Sequence, residues 1–412
     1  MSEQIKNAAP WTLDKDTAKS LTQRFGSPLY VYDESTLRTQ CSKLKSHFPK
    51  DNFKICYSVK ANNSVALLKI IKEEGLGVEV MTPGEIYTAS AASFEPSKML
   101  FLSNNVSSDI FKYVIRYGSK VCLDSIDQIE TYGKLTTNSD VFIRLNPQIG
   151  AGHHEKVITA GKVKFGVDLP VLEEAFETAK KNDLKITGLC IHIGSLFLNY
   201  DVFHTVVEKL LEIVEKHPQI EYVDFGGGFG IAYDRENEVD FPMEDYSKIL
   251  NETLQDWLKK TKRKTVFGIS PGRYVVAQCG VCLTTVMTDK TNMGIRFFGT
   301  DLGFNFFLRP TMYSSYHEIV NTSKTSDQKI KATIVGNICE SGDILGEDRM
   351  LPSDTSQGDI LMIRDTGAYG FSMSSNYNSM PKPAEVLIDK HGQAHLIRKH
   401  ESYEDLLHRQ II

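Results

Sequence analysis

The residue with the most distinctive chemistry is Lys60, in the segment Tyr57–Asn62 at the end of a short apolar run. At the buried end of a strand an ammonium group is costly to desolvate, which favours the neutral amine that can form an imine with an aldehyde. A solvated loop lysine is the commoner explanation of such a position, because most lysines are exposed. Position alone therefore does not establish a covalent site.

Two other segments could hold an anion. Gly226–Gly230 contains consecutive glycines, whose backbone N–H groups can converge on a phosphate. The run does not match a dinucleotide fingerprint, since Ile231 and Tyr233 occupy the places that a third glycine would need. The segment Ser270–Arg273 adds a guanidinium suited to a phosphate or a carboxylate. These segments favour a phosphate site over a simple turn.

A histidine also stands at the end of an apolar run, in His192–Ser195. Its flat ring suits stacking on an aromatic cofactor, although a structural histidine would explain the position equally well. Alone, each of these signals is weak.

The elements that must position these residues follow one repeating unit from Phe53 to Ser270, a short apolar run followed by a longer amphipathic stretch such as Ser64–Glu74 or Val202–Lys216. Such units predict parallel strands joined by helices. The expected strands are Lys54–Val59, Gly77–Met81, Met99–Ser103, Lys120–Asp124, Val141–Asn146, Gly188–His192, Tyr222–Gly226 and Val266–Ile269. Eight of them predict an α/β fold, a (β/α)8 TIM-type barrel, whose active site follows the C-terminal strand ends.

The pattern changes after Pro271 to strand-like runs with little helical periodicity. An early run, Leu29–Tyr32, could pair with them. We predict a barrel over residues 36–272 and a mostly β domain formed by residues 1–35 with 273–412. The expected strands of this domain are Ile295–Phe298, Ile330–Val335, Asp359–Ile363, Ala384–Ile388 and Ala394–Ile397.

Together these motifs resemble, in order and over nearly the whole chain, the pyridoxal phosphate-dependent decarboxylases of the alanine-racemase-like barrel fold, the ornithine, diaminopimelate and arginine decarboxylase family. The Arg309–Tyr313 segment resembles the diaminopimelate branch. The segments that carry the resemblance are Tyr57–Asn62, His192–Ser195, Gly226–Gly230, Pro271–Arg273, Arg309–Tyr313, Cys339–Asp343, Gly367–Gly370, Ser372–Asn378 and Glu401–Leu407.

The resemblance implies a role for each matching residue. Lys60 would form the imine with pyridoxal 5'-phosphate and His192 would stack on the pyridine ring. The phosphate and the rest of the cofactor would be held by Ser195, Gly227, Gly228, Ser270, Gly272, Arg273 and Tyr369.

On the substrate side, the resemblance implies that Arg309 and Tyr313 contact a carboxylate, with Arg273 and Tyr369 nearby. Glu340 would bind the distal ammonium, and Cys339 would protonate the carbon that has lost CO₂. In this family the last two residues reach the site from a partner subunit, so the resemblance implies a symmetric homodimer with shared sites.

The sequence departs from the family at three positions. Ser270 stands where the family has Glu, which pairs with the pyridine nitrogen and keeps it protonated so that the ring can accept electrons. A hydroxyl is the weaker partner, because charge-assisted hydrogen bonds are about twice as strong as neutral ones. Either turnover is slower, or another acid takes over, or the chemistry has shifted. Glu79 replaces the usual Asp, and Leu196 a usual polar residue.

Composition excludes several other classes of protein. A net charge of -5 without basic clusters argues against nucleic acid, and no apolar run is long enough for a signal core or a membrane span. We expect a cytoplasmic protein, because seven cysteines in 412 residues is ordinary usage for a reducing compartment. The pair Cys279 and Cys282 lacks companions for zinc, and its apolar flanks predict a buried strand; they are Val275, Val276, Leu283 and Val286. We predict no metal.

The expected activity is decarboxylation of meso-2,6-diaminopimelate to L-lysine and CO₂. Two alternatives stay open because of Ser270: a decarboxylase of another diamino acid or amino-acid conjugate, which Leu196 also favours, and a cofactor-binding protein with impaired turnover. Racemase activity is disfavoured because Cys339 stands where racemases are expected to use a tyrosine.

Overall fold

The computed structural model describes residues 10–152 and 154–411. Residues 1–9, the start of the predicted 1–35 segment, lie outside the described part. The chain forms two compact units, which are taken separately below. The barrel unit comprises Arg38–Ala232 and Val239–Val275, and the β unit comprises the described residues up to Leu37, Tyr233–Glu238 and the chain from Val276.

The eight strands predicted for the barrel are all present and form a closed parallel sheet. They pair in chain order, and pairing of the last strand with the first closes the ring. They are β2 (Phe53–Ser58), β3 (Gly77–Val80), β4 (Leu100–Leu102), β5 (Lys120–Leu123), β6 (Ser139–Asn146), β8 (Leu184–Cys190), β9 (Tyr222–Asp224) and β10 (Val266–Ile269); a two-residue strand, β7 (Val167–Asp168), pairs with β6.

Helices connect the barrel strands, as the amphipathic stretches predict. Polar caps set their limits: the Ser107 side chain accepts the Ile110 N–H at the start of one helix, which ends at Gly118 in the left-handed conformation. The helices are α2 (Glu34–Ser46), α3 (Val65–Glu73), α4 (Pro83–Ala91), α5 (Ser108–Tyr117), α6 (Ile126–Gly133), α7 (Leu172–Lys181), α8 (Asp201–Lys216), α9 (Met243–Thr261) and the short α10 (Arg273–Val276).

Apolar side chains fill the inside of the barrel. Leu100, Leu102, Cys122, Phe142 and Cys190 form one buried cluster, against which the ring of Tyr222 packs. Burial of this apolar surface contributes roughly 25 cal/mol per Å² removed from water. The interior is therefore a packed core, and the strand ends, where the predicted site residues lie, form a separate layer.

The β unit is a mixed sheet with the order β15-β14-β12-β11-β1-β17-β18, and β16 pairs with both β11 and β13. Its strands are β1 (Leu29–Asp33), β11 (Gly280–Asn292), β12 (Ile295–Thr300), β13 (Ile319–Asn321), β14 (Lys329–Val335), β15 (Ile344–Pro352), β16 (Ile360–Ile363), β17 (Ala384–Ile388) and β18 (Ala394–Arg398). Three short helices accompany them, α1 (Lys15–Phe25), α11 (Arg309–Tyr313) and α12 (Tyr403–Leu407).

The expected pairing of the early run with this domain is confirmed, since β1 lies between β11 and β17. The alternating side chains of these strands, Leu29, Val31, Val281, Leu283 and Val386, form its core. The sequence missed β13 and β15. It was also wrong about Val275 and Val276, which lie in α10 rather than in a strand, because the chain turns helically after Gly272, with Val275 N–H donating to the Gly272 carbonyl at 3.1 Å.

No described helix is long and apolar enough to cross a membrane.

Candidate active site

Lys60 lies in a single helical turn, Val59–Ala61, directly after β2. The hydroxyl of Tyr57 donates to the Asn62 carbonyl at 2.9 Å, and the Asn62 side chain accepts the Ser64 N–H at 3.0 Å. These contacts fix the loop that carries the lysine. The amine therefore stands at a defined point of the C-terminal strand ends, partly buried, as the sequence predicts.

The glycine run after β9 approaches its neighbours more closely than a side chain would allow. A Cβ atom on Gly226 would lie 2.3 Å from the Ile191 carbonyl oxygen, and one on Gly227 would lie 2.2 Å from that of Ser270. Gly226 also has a φ of 76°, which favours glycine. The Gly227 N–H points to Nδ1 of His192 at 3.4 Å. The glycines thus place bare backbone beside the imidazole.

A buried cation completes this part of the barrel. Nη2 of Arg273 donates to Oγ of Ser195 at 3.0 Å, although the two residues are far apart in sequence. The arginine is 6% exposed, so its positive charge is held away from bulk solvent. A buried guanidinium with a hydroxyl beside it is a favourable environment for a phosphate group.

The His192 imidazole is neutral at physiological pH. Desolvation lowers its pKa well below the usual value, and the positive charges of Lys60 and Arg144 lower it further. A neutral flat ring can stack on an aromatic cofactor without placing a second charge beside it. The structure therefore supports the predicted stacking role through the charge state of the ring.

Acidic groups form a layer around Ser270. The Ser270 hydroxyl donates to Oδ1 of Asp224 at 2.9 Å, and Asp224 also accepts the Gly226 N–H at 2.7 Å and the Tyr222 hydroxyl at 3.0 Å. Glu79, on β3, also interacts with the Ser270 hydroxyl. Burial, and then the negative charge of Asp224, raise the pKa of Glu79 to about 7. Two buried carboxyls thus flank the serine that stands in place of the expected glutamate.

These residues fit pyridoxal 5'-phosphate. The chemistry needs an amine, a flat neutral ring, and a cation with hydroxyl and amide donors, and the barrel supplies them in Lys60, His192, Arg273 with Ser195, and the glycine run. The buried hydroxyl of Ser58, two residues before Lys60, has no hydrogen-bond partner among the described residues. A polar group of that kind is an available donor for a ligand.

The β unit holds the predicted substrate-side residues other than Arg273. Arg309 opens α11 and is 1% exposed; its Nη1 donates to the Tyr233 hydroxyl at 2.9 Å and its Nη2 to Oγ of Ser315 at 3.0 Å. Tyr313 ends the same helix and is partly buried, as is Tyr369, in the turn after β16. The structure therefore places Arg309 as a fixed buried cation with protein partners.

Cys339 and Glu340 are exposed in a tight turn between β14 and β15. The buried carboxylate of Asp343 holds that turn: its Oδ1 accepts the Phe304 N–H at 2.6 Å and its Oδ2 accepts the Ile338 N–H at 2.7 Å. Glu340 accepts a 2.5 Å hydrogen bond from the Tyr377 hydroxyl. The thiol and the carboxylate are thus presented at the surface of this unit by a braced turn.

Sequence reasoning missed three residues that the structure makes important. Asp224 precedes the glycine run by two residues, the strand alternation that places it on the same barrel face as Gly226. Asp343 stood within the Cys339–Asp343 motif without a role, and Tyr377 within Ser372–Asn378. Alternation along β9 could have found Asp224, but the other two depend on long-range contacts.

Cys279 and Cys282 are both buried thiols without a disulfide, as expected for core residues. Among residues 10–152 and 154–411, no group of three or more histidine, cysteine, aspartate or glutamate side chains could hold a metal ion.

A closed parallel barrel with a lysine, a neutral histidine and a phosphate-type cradle at its strand ends defines an enzyme that uses pyridoxal 5'-phosphate. The model of the pyridoxal-dependent decarboxylases, in its pyridoxal-binding domain, matches residues 34–277. The chain belongs to this family and is a pyridoxal phosphate-dependent amino-acid decarboxylase.

Individual relatives are similar over nearly their whole length. A diaminopimelate decarboxylase from Methanothermobacter thermautotrophicus is 37% identical over 95% of this chain and 94% of its own. Solved structures of diaminopimelate decarboxylases in complex with L-lysine also match: that from Helicobacter pylori is 30% identical with a TM-score of 0.87, covering 95% of this chain and 98% of that one. That from M. jannaschii is 29% identical with a TM-score of 0.87, covering 96% and 94%.

Proposed function

We propose that this enzyme decarboxylates meso-2,6-diaminopimelate to L-lysine and CO₂. The observation that carries the proposal is similarity to diaminopimelate decarboxylases over nearly the full length of both chains, so that the segments expected to bind substrate are included as well as the barrel. The relative from H. pylori was solved with L-lysine, the product that this reaction would release.

The residues of the chain divide the work. When bound, the cofactor accepts into its ring the electron pair left by the departing carboxyl group. We assign the cofactor to Lys60, its ring to His192 and its phosphate to Ser195, Arg273 and the glycines at 227 and 228; Gly272 and Tyr369 support it. We also assign Ser270 to the cofactor site, where its hydroxyl donates to the buried carboxylate of Asp224.

On the substrate side, we assign a carboxylate of the substrate to Arg309 and Tyr313, with Arg273 and Tyr369 as further contacts. Glu340 binds the distal ammonium, since its exposed carboxylate is the matching charge. Cys339 delivers a proton from Sγ to the α-carbon that has lost CO₂.

A panel of amino acids tests the substrate. The purified enzyme is incubated with meso-diaminopimelate, ornithine, arginine and lysine, and CO₂ release and product mass are followed, with Lys60→Ala as the control. Product from diaminopimelate alone is expected. Turnover of another diamino acid in its place would support the second candidate, which Ser270 and Leu196 favour, and a bound cofactor without any turnover would contradict a decarboxylase.

We also propose a cytoplasmic homodimer in which the partner subunit's Cys339 and Glu340 serve the barrel that holds Lys60. Seven free cysteines support a reducing compartment. Exposure of Cys339 and Glu340 on their own unit supports service to another subunit, because residues that act on a second chain must lie at the surface.

Mixing two inactive variants tests the shared site. Lys60→Ala and Cys339→Ala chains that exchange at random give hybrid dimers with one intact site, so roughly one quarter of wild-type activity should return. Absence of recovery, with exchange demonstrated by mass spectrometry of differently labelled chains, would place each site within a single chain.

A further inference from the structure

The assigned site lacks an acidic residue at position 270 to pair with the pyridine nitrogen of the cofactor, and a buried carboxyl of the barrel could take that role. An electron-accepting pyridine ring works best when an acidic partner keeps its nitrogen protonated, and Ser270 cannot ionise. The nitrogen lies across the ring from the carbon that bonds to lysine, so its partner must come from outside the Lys60 loop. Six carboxyls of the barrel unit are partly or fully buried; Glu74 is paired with Arg38 and Lys45, and Asp240 accepts the Ala232 N–H. The four others are Asp124, Asp224, Glu79 and Glu85.

Three of these carboxyls already have strong partners. Asp224 accepts hydrogen bonds from Tyr222, Gly226 and Ser270. Asp124 accepts the Gly166 N–H at 3.0 Å and lies 3.9 Å from the Arg144 guanidinium. Glu85 accepts the Met81 N–H at 2.7 Å. Each of these groups is occupied in holding the protein together.

Glu79 differs from them. It is 6% exposed and lies next to the Ser270 hydroxyl, and no hydrogen bond from another described residue reaches its carboxyl. Its position on β3 is directly opposite Ser58, two residues from Lys60 along β2, and the charges of Lys60 and Arg144 act on it. Glu79 therefore lies beside the cofactor residues with its carboxyl still available.

The hydrogen atoms of this layer indicate where its proton resides. A hydroxyl has one hydrogen, and that of Ser270 is directed to Asp224. Burial raises the pKa of Asp224, but its three donors oppose that rise and favour the ionised form, whereas Glu79 lacks such a set of donors. The second carboxyl of a close pair then keeps its proton, in agreement with the raised pKa of Glu79. In this state Glu79 is a carboxylic acid that can donate to a base.

We propose that Glu79 is the acid partner of the cofactor's ring nitrogen, and that Ser270 is the hydroxyl that links it to Asp224. The O–H bond of Glu79 breaks as the N–H bond of the ring forms, and the carboxylate that remains pairs with the positive ring. No oxidant or further reactant is needed. The inference rests on the assignment of pyridoxal 5'-phosphate to this site and does not depend on the substrate.

The proposal explains two departures from the family together. The sequence has a glutamate at 79 where an aspartate is usual and a serine at 270 where a glutamate is usual. The barrel thus keeps a long carboxylic acid at its strand ends, moved from the end of β10 to β3.

The test is ¹⁵N NMR of the enzyme loaded with pyridoxal 5'-phosphate labelled at the ring nitrogen, without substrate. The wild-type resonance should be that of a protonated ring, and Glu79→Gln should move it to that of an unprotonated ring. Glu85→Gln is the matched control, because it removes another carboxyl that acts on Lys60 but does not contact Ser270. In this control the ring-nitrogen resonance should remain that of a protonated ring. The double variant Glu79→Gln with Ser270→Glu should restore protonation.

A protonated nitrogen in the folded, loaded Glu79→Gln enzyme would overturn the proposal, as would an unprotonated nitrogen in the wild type. If the glutamine variant does not fold, Glu79→Asp provides the same test, since the shorter acid should lower the protonated fraction. On the true substrate, Glu79→Gln should lower kcat by about 10²-fold with little change in KM. The NMR measurement contains no substrate, so its result does not depend on whether diaminopimelate is turned over. Failure of the proposed substrate is therefore distinguishable from failure of this inference.

Discussion

The strand ends of the barrel and the turn of the β unit that carries Cys339 and Glu340 present their site residues in opposite ways. In the barrel, Lys60, His192, Ser195 and Arg273 stand at strand ends that hydrogen bonds and close backbone contacts fix within the unit. In the β unit, the turn with Cys339 and Glu340 is exposed; Asp343 holds its base, and the Tyr377 hydroxyl donates to Glu340.

The difference follows from what each group must do. A cofactor stays bound through many turnovers, so the residues assigned to it, apart from Tyr369, can be packed into the barrel unit and partly buried there. A proton donor and a carboxylate that binds the substrate's distal ammonium must meet a substrate that enters and leaves, so Cys339 and Glu340 remain exposed while a buried brace sets their direction. Variants of the barrel should therefore affect cofactor and activity together, and variants of the turn should affect activity alone.

Lys60→Ala gives the largest expected effect. Loss of the amine should remove the absorbance that distinguishes the cofactor bound as an imine from free pyridoxal phosphate. It should also lower kcat by on the order of 10⁴-fold. Lys54→Ala, on the same strand at the far end from the site, is the matched control and should keep both. Absorbance spectra and CO₂ assays of the two variants, side by side, decide the matter. A Lys60→Ala enzyme that is coloured and active would contradict the assignment of the cofactor to Lys60 in the barrel.

Asp343→Ala should reduce activity without affecting cofactor binding. Its carboxylate holds the Phe304 and Ile338 N–H groups, so its loss frees the turn that carries Cys339. Misplacement by about 1 Å can cost about 10²-fold in rate, and we expect that loss in kcat with an unchanged cofactor spectrum. Asp348→Ala is the control, because its exposed ion pair with Lys331 contributes little. Loss of the cofactor from Asp343→Ala would show that the two sets are not separable.

The pH dependence of stability should reveal Glu79 in the cofactor-free enzyme. Burial and the charge of Asp224 raise its pKa to about 7 from 4.5, against the opposing charges of Lys60 and Arg144; the thiols of Cys56, Cys122 and Cys190 also face it. The folded state therefore holds a proton that the unfolded state loses between about pH 4.5 and 7. Stability falls as pH rises through that window.

Glu79→Gln removes this loss. We compare the free energy of unfolding of the variant with that of wild type at each pH. As pH rises from 4.5 to 8, this difference should shift in favour of the variant by up to about 3 kcal/mol. Urea unfolding at both values measures the gain. Parallel pH profiles of the two proteins would mean that Glu79 is already ionised in the folded state.

Ser270→Glu should give the smallest effect on rate. From the sequence, a restored carboxylate would raise kcat if serine is a handicap, or reduce activity if the site has adapted around it. The structure favours the second outcome, because the new carboxylate would be buried against Asp224 and Glu79. We expect kcat to fall by about 10-fold. A faster enzyme in steady-state kinetics would contradict the adapted site.

Much of the fold could be predicted because local patterns determine it. Short apolar runs at the ends of amphipathic helices predicted all eight barrel strands, and Leu29–Tyr32 was correctly placed in the β sheet. Short strands such as β13, with three residues, carry too little periodicity to be found. The turn into α10 depends on local backbone geometry rather than on the apolar pattern of Val275 and Val276.

The location of candidate site residues at the strand ends could be predicted where a single segment carries the chemistry, and not where two segments cooperate. Lys60 and the glycine run stand out in sequence, and the structure brings Ser195 to Arg273 and His192 to Gly227. Ser270 is different: its meaning depends on Asp224 and Glu79, which come from two other strands. Contacts of that kind arise only when the barrel closes.

Covalent trapping tests the central claim most directly. The holoenzyme is reduced with borohydride, digested, and its peptides are analysed by mass spectrometry. The account predicts that the mass of the reduced cofactor is attached to the peptide that bears Lys60, with Lys60→Ala unlabelled under the same conditions. Attachment to any other lysine, or none despite bound cofactor, would contradict it.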